Sequence, residues 1–466
     1  MMTTQAAARA LQAECWGEDK SFERVSTDSR AIMPGDLFIA LGGDTFDGHD
    51  FVAEVMEKGA AAALVQMDWA RKNPQPRLPL ILVENTRLAL GHLAAYWRGL
   101  FQIPLVAVTG SNGKTTVKEM IASILGCVNA GAGDSVQRNG SDKVLATEGN
   151  LNNDIGVPLM LLRLREGHQY AVIEMGMNHA GEIGYLTRLA RPSVALITNA
   201  GAAHVEGLGS VEAVARAKGE IFEGLDQQGV AVINADDPYE WLWRGVAGDR
   251  KVVDFGLEER AIVHARYQAD CFGSRIALLL PDGIQEVDLQ VPGKHNVANA
   301  AASAAVAVAM GVGAAAITSG LSTFAGVKGR MQKKQGLHGS ILIDDTYNAN
   351  PDSVRAALAV LAEATGRKIL VLGDMGELGA AARGFHERIG AEARAAGVDT
   401  LLAMGEWSAY SVTEFGVGAR HFKKIEELIA EVQGLLATGD TILIKGSRFM
   451  QMERVVKRVE SQPAKR

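Results

Sequence analysis

Leu105-Val106-Ala107-Val108-Thr109-Gly110-Ser111-Asn112-Gly113-Lys114-Thr115-Thr116 sets a continuous apolar run, a glycine-bounded turn, a lysine and two hydroxyls directly before a helical pattern from Lys114 to Leu125. A strand, turn and helix in this order aim backbone N–H groups and a helix N-terminus at phosphate. Lys114 adds positive charge, and Thr115 offers an oxygen suited to magnesium. A plain glycine turn would explain Gly110 and Gly113 but leaves the run Gly113-Lys114-Thr115-Thr116 to chance. Residues Gly110 to Thr116 are therefore read as the cradle of a nucleoside triphosphate. The common form of this loop has its first glycine where Val108 stands, so the loop is of a shorter kind.

The pattern downstream is regular. Strand-like runs at Ala171 to Glu174, Val194 to Thr198 and Val230 to Asn234 alternate with helices at Gly181 to Leu189 and Val211 to Leu225. Such alternation means a parallel sheet covered on both faces. From Ala261 to Val291 the apolar period becomes two, which predicts an antiparallel hairpin before an alanine-rich helix at Ala300 to Ala316. A second alternating series starts after Lys328: strands Ile341 to Asp344, Lys368 to Leu372, Thr400 to Met404 and Thr441 to Lys445, with helices Ser353 to Ala364 and His386 to Ala396 and a final helix. Upstream, Gln5 to Arg98 mixes short apolar runs with polar loops such as Thr27-Asp28-Ser29-Arg30. The expectation is an α/β protein of three domains: a small N-terminal α/β unit at 1–101, a central P-loop parallel-sheet unit at 102–327 and a Rossmann-like unit at 328–466.

Length agrees, since 466 residues exceed the roughly 250 to 300 at which single cores stop growing. A hydrophobic fraction of 47% with 22% charged residues excludes a disordered chain. A net charge of -7 argues against nucleic acid or an anionic membrane as partner, so any anionic substrate must be met by local cations. Cys15, Cys127 and Cys271 are scattered and odd in number, which suits a reducing cytosol and structural roles. No stretch reads as a membrane span or a signal peptide, because Ser303, Gly311 and Gly313 interrupt the most apolar segment. Asn129 to Lys143 reads as an exposed polar loop.

Two predicted strand ends deliver residues of ligand type, Glu174 and His204, and ligands of open parallel sheets gather at that edge. Glu174 could instead cap a strand, and His204 could be a polar loop residue. Their shared position favours the metal-site reading for both.

With these stretches in place the chain resembles the Mur ligase family over nearly its whole length. Thr109 to Thr116, Glu174, His204, Gly293-Lys294-His295-Asn296-Val297-Ala298-Asn299, Gly329-Arg330 and Asp344-Asp345-Thr346-Tyr347-Asn348 stand in the family's order. Within it, Asn150 to Leu159, Ala217 to Phe222 and Asp345 to Pro351 look like the branch that adds D-alanyl-D-alanine, and the Asp-Asn-Pro-Arg signature of the diaminopimelate-adding branch is absent. Val128 to Ala146 is longer and more polar than is usual there.

The resemblance implies ATP and magnesium as cofactors, with two ions, and UDP-N-acetylmuramoyl-tripeptide and D-alanyl-D-alanine as substrates of a monomeric cytoplasmic ligase in peptidoglycan precursor synthesis. Asp28, Ser29 and Arg30 would meet uridine; Thr147, Asn150, Asn153 and Asn348 would meet the rest of the UDP-substrate. Asn296 and Asn299, three apart on one helix face, would hold the nucleotide base, Asp345 and Tyr347 ribose and base, and Arg330 the γ-phosphate. Lys218 stands where related ligases carry a carbamylated lysine, a modification that would let it join Thr115, Glu174 and His204 around metal; otherwise it is a surface helix lysine. Lys114, His204, Lys218 and Arg330 form the expected catalytic set. A folylpolyglutamate synthase is the nearest alternative enzyme, disfavoured by the Asp28-Ser29-Arg30 loop. A regulatory P-loop switch would leave Asp345 and the C-terminal unit unexplained.

Overall fold

The structure is a computed structural model that describes residues 1–43, 46–73, 79–128, 143–201, 205–270 and 273–461. His204, Cys271 and all but the last residue of the expected loop at Asn129 to Lys143 lie outside the described residues. Among the described residues, the apolar runs of the central stretch form one nine-stranded sheet. Its order is Gly283–Leu289, Gly273–Leu280, Val263–Asp270, Lys251–Gly256, Val230–Asn234, Val194–Ile197, Leu105–Thr109, Tyr170–Glu174, Val144–Ala146. Neighbours are parallel from Val144–Ala146 to Val263–Asp270, and the last two pairings are antiparallel. The period-two stretch thus extends the main sheet with an antiparallel edge.

Strand Leu105–Thr109 is buried throughout, which is why it reads as an unbroken apolar run. Its register sets Val108 against Glu174 and Thr109 against Ile197. That register brings the phosphate turn, Glu174 and the Thr198-Asn199 segment to one carboxyl edge of the sheet. The alanine-rich segment folds as two helices, Lys294–Ala309 and Ala314–Ser322, because Gly311 turns the chain with φ 73° between them. Small side chains let the first helix pack closely on helix Lys114–Gly126, and the Ser303 hydroxyl is spent on the Asn299 carbonyl at 2.8 Å. Among the described residues no helix is long and apolar enough to cross a membrane.

Five strands form the N-terminal sheet, in the order Glu14–Trp16, Leu80–Val83, Ala62–Gln66, Leu37–Ile39, Val25–Ser26. One apolar cluster runs from Leu37, Leu64, Leu90 and Leu93 into Leu161, Ile173 and Leu186, so this sheet and the central sheet share a core. Helix Thr86–Arg98 carries the join. Trp97 Nε1 donates to the Leu164 carbonyl at 3.1 Å, and Arg98 Nε to the Ala190 carbonyl at 2.9 Å, satisfying buried acceptors across the seam.

The C-terminal sheet runs Gln332–Gln335, Ile341–Asp345, Thr441–Lys445, Lys368–Gly373, Thr400–Met404, Ala419–Phe422, parallel except for its first strand. Its two faces have apolar clusters of their own, separate from the shared core. The expected helix Val211 to Leu225 differs in detail. It is α-helical at Val211–Gly219 and tightens to a 3-10 turn at Glu220–Gly224, where the Thr187 hydroxyl takes the Ile221 carbonyl at 2.8 Å.

Candidate active site

The phosphate turn is shaped by close approach. Gly110 has φ 153°, and a Cβ there would lie 1.8 Å from Thr198 Oγ1; Gly113 has φ 84°, and a Cβ would lie 2.4 Å from Asn299 Oδ1. Only glycine fits either position. Neighbouring segments hold the turn open. Asn112 N donates to Asn199 Oδ1 at 2.9 Å, Ser111 N to the Asn199 carbonyl at 3.0 Å, and Thr198 Oγ1 to the Asn112 carbonyl at 2.6 Å. Lys114 folds back so that Nζ donates to the Gly110 carbonyl at 2.7 Å. Burial lowers the pKa of this lysine; Glu174 and Glu377 oppose the shift, and the Arg330 cation adds to it.

Glu174 is 3% exposed and sits at the centre of the oxygen donors. It accepts from Thr115 Oγ1 and from Asn152 Nδ2, both at 2.8 Å, while its own N–H donates to Thr147 Oγ1 at 2.9 Å. The Thr115 hydroxyl in turn accepts from Arg330 Nη2 at 2.9 Å. Asn152 was not singled out from the sequence; its only signal is the asparagine-rich stretch around it. A carboxylate and a hydroxyl so grouped are hard oxygen donors of the kind magnesium prefers, while Asn152 turns its NH₂ group to the carboxylate. Among the described residues no group of three or more histidines, cysteines, aspartates or glutamates is assembled for a metal.

Lys218 is not the exposed helix lysine of the ordinary explanation. It is 2% exposed, with no hydrogen-bond or ion-pair partner among the described residues. Burial first, and the neighbouring Lys114 charge second, push its pKa well below the usual 10.5.

The C-terminal unit closes the other side. Arg330 lies over the Tyr347 ring, 4.1 Å from its centroid, and its Nε is buried without a partner among the described residues. Asp345 accepts from the Met331 N–H at 3.1 Å and from Lys445 Nζ at 2.5 Å, and Lys445 Nζ also donates to the Asn348 carbonyl at 3.0 Å. Lys445 was missed in the sequence, where it shows only as the last residue of an apolar strand. On the central side, Asn299 Nδ2 donates to Asn296 Oδ1 at 3.1 Å, fixing both amides. These groups line a cleft of 1660 Å³ to which all three α/β units contribute.

Other expected residues fall at differing distances from this centre. Asn150, Asn153 and Asn348 line the cleft, and Asn153 Oδ1 also accepts from Gly156 N, the first residue of helix Gly156–Leu161, at 2.8 Å. Thr147 is buried behind Glu174, outside the cleft lining, with its hydroxyl taken by the Glu174 N–H. Asp28, Ser29 and Arg30 also lie outside that lining. Arg30 grips Asp28 through Nε at 2.9 Å and Nη2 at 2.8 Å, which lowers the Asp28 pKa to about 2.

A P-loop parallel sheet capped by a second parallel α/β unit is the class that fold and cleft define. Residues 21–98 match the Mur ligase family catalytic domain, 108–307 the Mur ligase middle domain and 329–448 the Mur ligase glutamate ligase domain. The UDP-N-acetylmuramoyl-tripeptide--D-alanyl-D-alanine ligase of Escherichia coli (strain K12) is 43% identical over 456 residues, 97% of this chain and 96% of that protein. Among solved structures, MurF from Acinetobacter baumannii aligns with a TM-score of 0.88 at 37% identity, covering 98% of each chain. The MurF ligase of Thermotoga maritima, in complex with ADP, aligns with a TM-score of 0.80 at 28% identity, covering 94% of this chain and 96% of that one. The chain belongs to the Mur ligase family.

Proposed function

We infer that this chain joins D-alanyl-D-alanine to UDP-N-acetylmuramoyl-tripeptide at the expense of ATP, through an acyl phosphate, in peptidoglycan precursor synthesis. The observation that carries the nucleotide half is the meeting of Lys114, Thr115, Glu174 and Arg330 at one loop, with a donor of Arg330 unspent among the described residues. The identity of the substrates rests on relatives that match the chain almost end to end and share one name between them. We divide the chain at 1–101, 102–327 and 328–466, and read it as a cytoplasmic monomer.

A carboxylate at neutral pH does not accept an amine, so it must first be activated. The tripeptide carboxylate attacks the γ-phosphoryl group in line and ADP leaves; Lys114 and Arg330 meet the charge that builds on the equatorial oxygens. The D-alanyl-D-alanine amine then attacks the acyl carbon, and the tetrahedral intermediate collapses with loss of phosphate. No side chain serves as covalent nucleophile, so the protein's work is positioning and electrostatics. Magnesium fits the donors Thr115 and Glu174 and supplies charge neutralisation at the phosphate oxygens.

Asn296 and Asn299 are assigned to the base, Asp345 and Tyr347 to ribose and base, with Lys445 holding Asp345 in place. Asp28, Ser29 and Arg30 take uridine, and Asn150, Asn153 and Asn348 the rest of that substrate. Thr147 acts through Glu174. Lys218 is proposed to be carbamylated: an amine kept neutral by burial is the form that adds carbon dioxide, and the product would be a second carboxylate-like group, near the Lys114 cation.

The test is ADP release by the purified protein with either tripeptide, lysine- or diaminopimelate-containing, with and without D-alanyl-D-alanine. Release that needs both substrates, with a ligated product of the summed mass less water, supports the reading. No ADP with both present overturns it.

A further inference from the structure

The C-terminal unit touches the phosphate loop directly at Asn350. Its Nδ2 donates to Asn112 Oδ1 at 2.9 Å, across 238 residues of sequence. The amide cannot turn over freely, because Asn350 Oδ1 accepts from Ser353 N at 2.8 Å and Ser353 Oγ accepts from Asn350 N at 3.0 Å, the reciprocal cap of helix Pro351–Glu363. Oxygen is committed to the helix, and the NH₂ group faces the loop. Asn112 is equally fixed on its main-chain side, where N and O are held by Asn199 and Thr198. Its side chain is the part left to meet the other unit.

A second approach lies beside it: a Cβ on Gly201 would come within 2.7 Å of Asp352 Oδ2. The start of helix Pro351–Glu363 therefore rests on the rim of the phosphate loop. Asn350 is also five residues beyond Asp345 and three beyond Tyr347, on the segment that carries the groups assigned to ribose and base.

We propose that Asn350 is a positioning residue that fastens the C-terminal unit to the phosphate loop through Asn112, and so sets the reach of Arg330, Asp345 and Tyr347 over the nucleotide. The proposal rests on the reading of the loop as the ATP site. Capping alone requires the side-chain oxygen and would be met as well by serine, which ranks with asparagine at this position. The amide nitrogen is what serine lacks.

Steady-state kinetics on Asn350→Ser, Asn112→Ser and the double variant test this. Asn350→Ser keeps the cap and loses the latch. It should unfold at the wild-type temperature, keep the KM for UDP-tripeptide, and lose kcat by about 3- to 10-fold, the worth of one net hydrogen bond. Asn112→Ser approaches the latch from the loop and leaves the helix untouched. In the double variant the loss should be no greater than in the worse single variant. Wild-type kcat in Asn350→Ser, or losses that multiply in the double variant, would overturn the latch while leaving the ligase reading in place. A wild-type protein that makes no product would overturn both.

Discussion

Replacing Lys218 by methionine removes an amine that has no partner among the described residues while keeping most of its volume. The unfolded chain holds a proton on this lysine up to about pH 10.5, whereas the folded chain releases it well below that value, burial being the larger cause and Lys114 the smaller. Between the two values the unfolded state binds more protons, so stability rises with pH, by about 1.4 kcal/mol per unit at most. Below the folded value the penalty is constant. Each unit of lowering above pH 7 therefore costs the folded protein about 1.4 kcal/mol at neutrality, and methionine abolishes that cost. Lys218→Met should therefore stabilise the protein at pH 7, read as an unfolding temperature above that of the wild type. The assay is thermal unfolding from pH 7 to 10 in buffers freed of carbon dioxide. The wild type should climb toward the variant as pH rises, and the gap should close near pH 10. Bicarbonate with magnesium should then raise the wild type alone, as a ligand that binds only the folded state does. Ligation by the variant should be lost. A methionine variant less stable than the wild type at pH 7 without carbon dioxide would refute the reasoning, for it would mean that the amine is well solvated or paired.

Lys114→Ala should lose ligation by at least about 10²-fold with its circular dichroism unchanged, because phosphate charge and not packing requires the lysine; ATP-dependent product at the wild-type rate would remove the phosphate assignment. Arg330→Ala should lower kcat by about 10²-fold with little change in KM for UDP-tripeptide, since its contacts are with Thr115 and Tyr347. The opposite split, read from initial rates at varied UDP-tripeptide, would place Arg330 at the wrong substrate.

The central strands were legible because both faces of a parallel sheet are buried, so Val230–Asn234, Thr400–Met404 and Thr441–Lys445 appear as apolar runs with the observed bounds. Edge strands were not. Gln332–Gln335 is polar along its length and is a strand only because it pairs antiparallel with Ile341–Asp345, and Ala419–Phe422 adds a short outer edge. The split of the alanine-rich helix has its signal in Gly311 and Gly313, which interrupt the apolar segment between Lys294–Ala309 and Ala314–Ser322. In the site, Lys114, Thr115 and Glu174 could be read locally, from the loop and a strand end. Lys445 and the Asn350–Asn112 contact could not, because each depends on which strand lies beside which, and nothing in the spacing encodes a contact across 100 or 238 residues. Lys218 shows the same limit from the other side: its position in a helix was evident, its burial was not.

The acyl phosphate is the claim on which the assignment of Lys114, Glu174 and Arg330 depends, and an oxygen label follows it directly. UDP-tripeptide carrying oxygen-18 in the reacting carboxylate would be turned over with ATP and D-alanyl-D-alanine, and phosphate, nucleotide and peptide products analysed by mass spectrometry. The account predicts ADP without label, one labelled oxygen in each phosphate released and one retained in the new amide. Unlabelled phosphate, or label appearing in AMP, would contradict it.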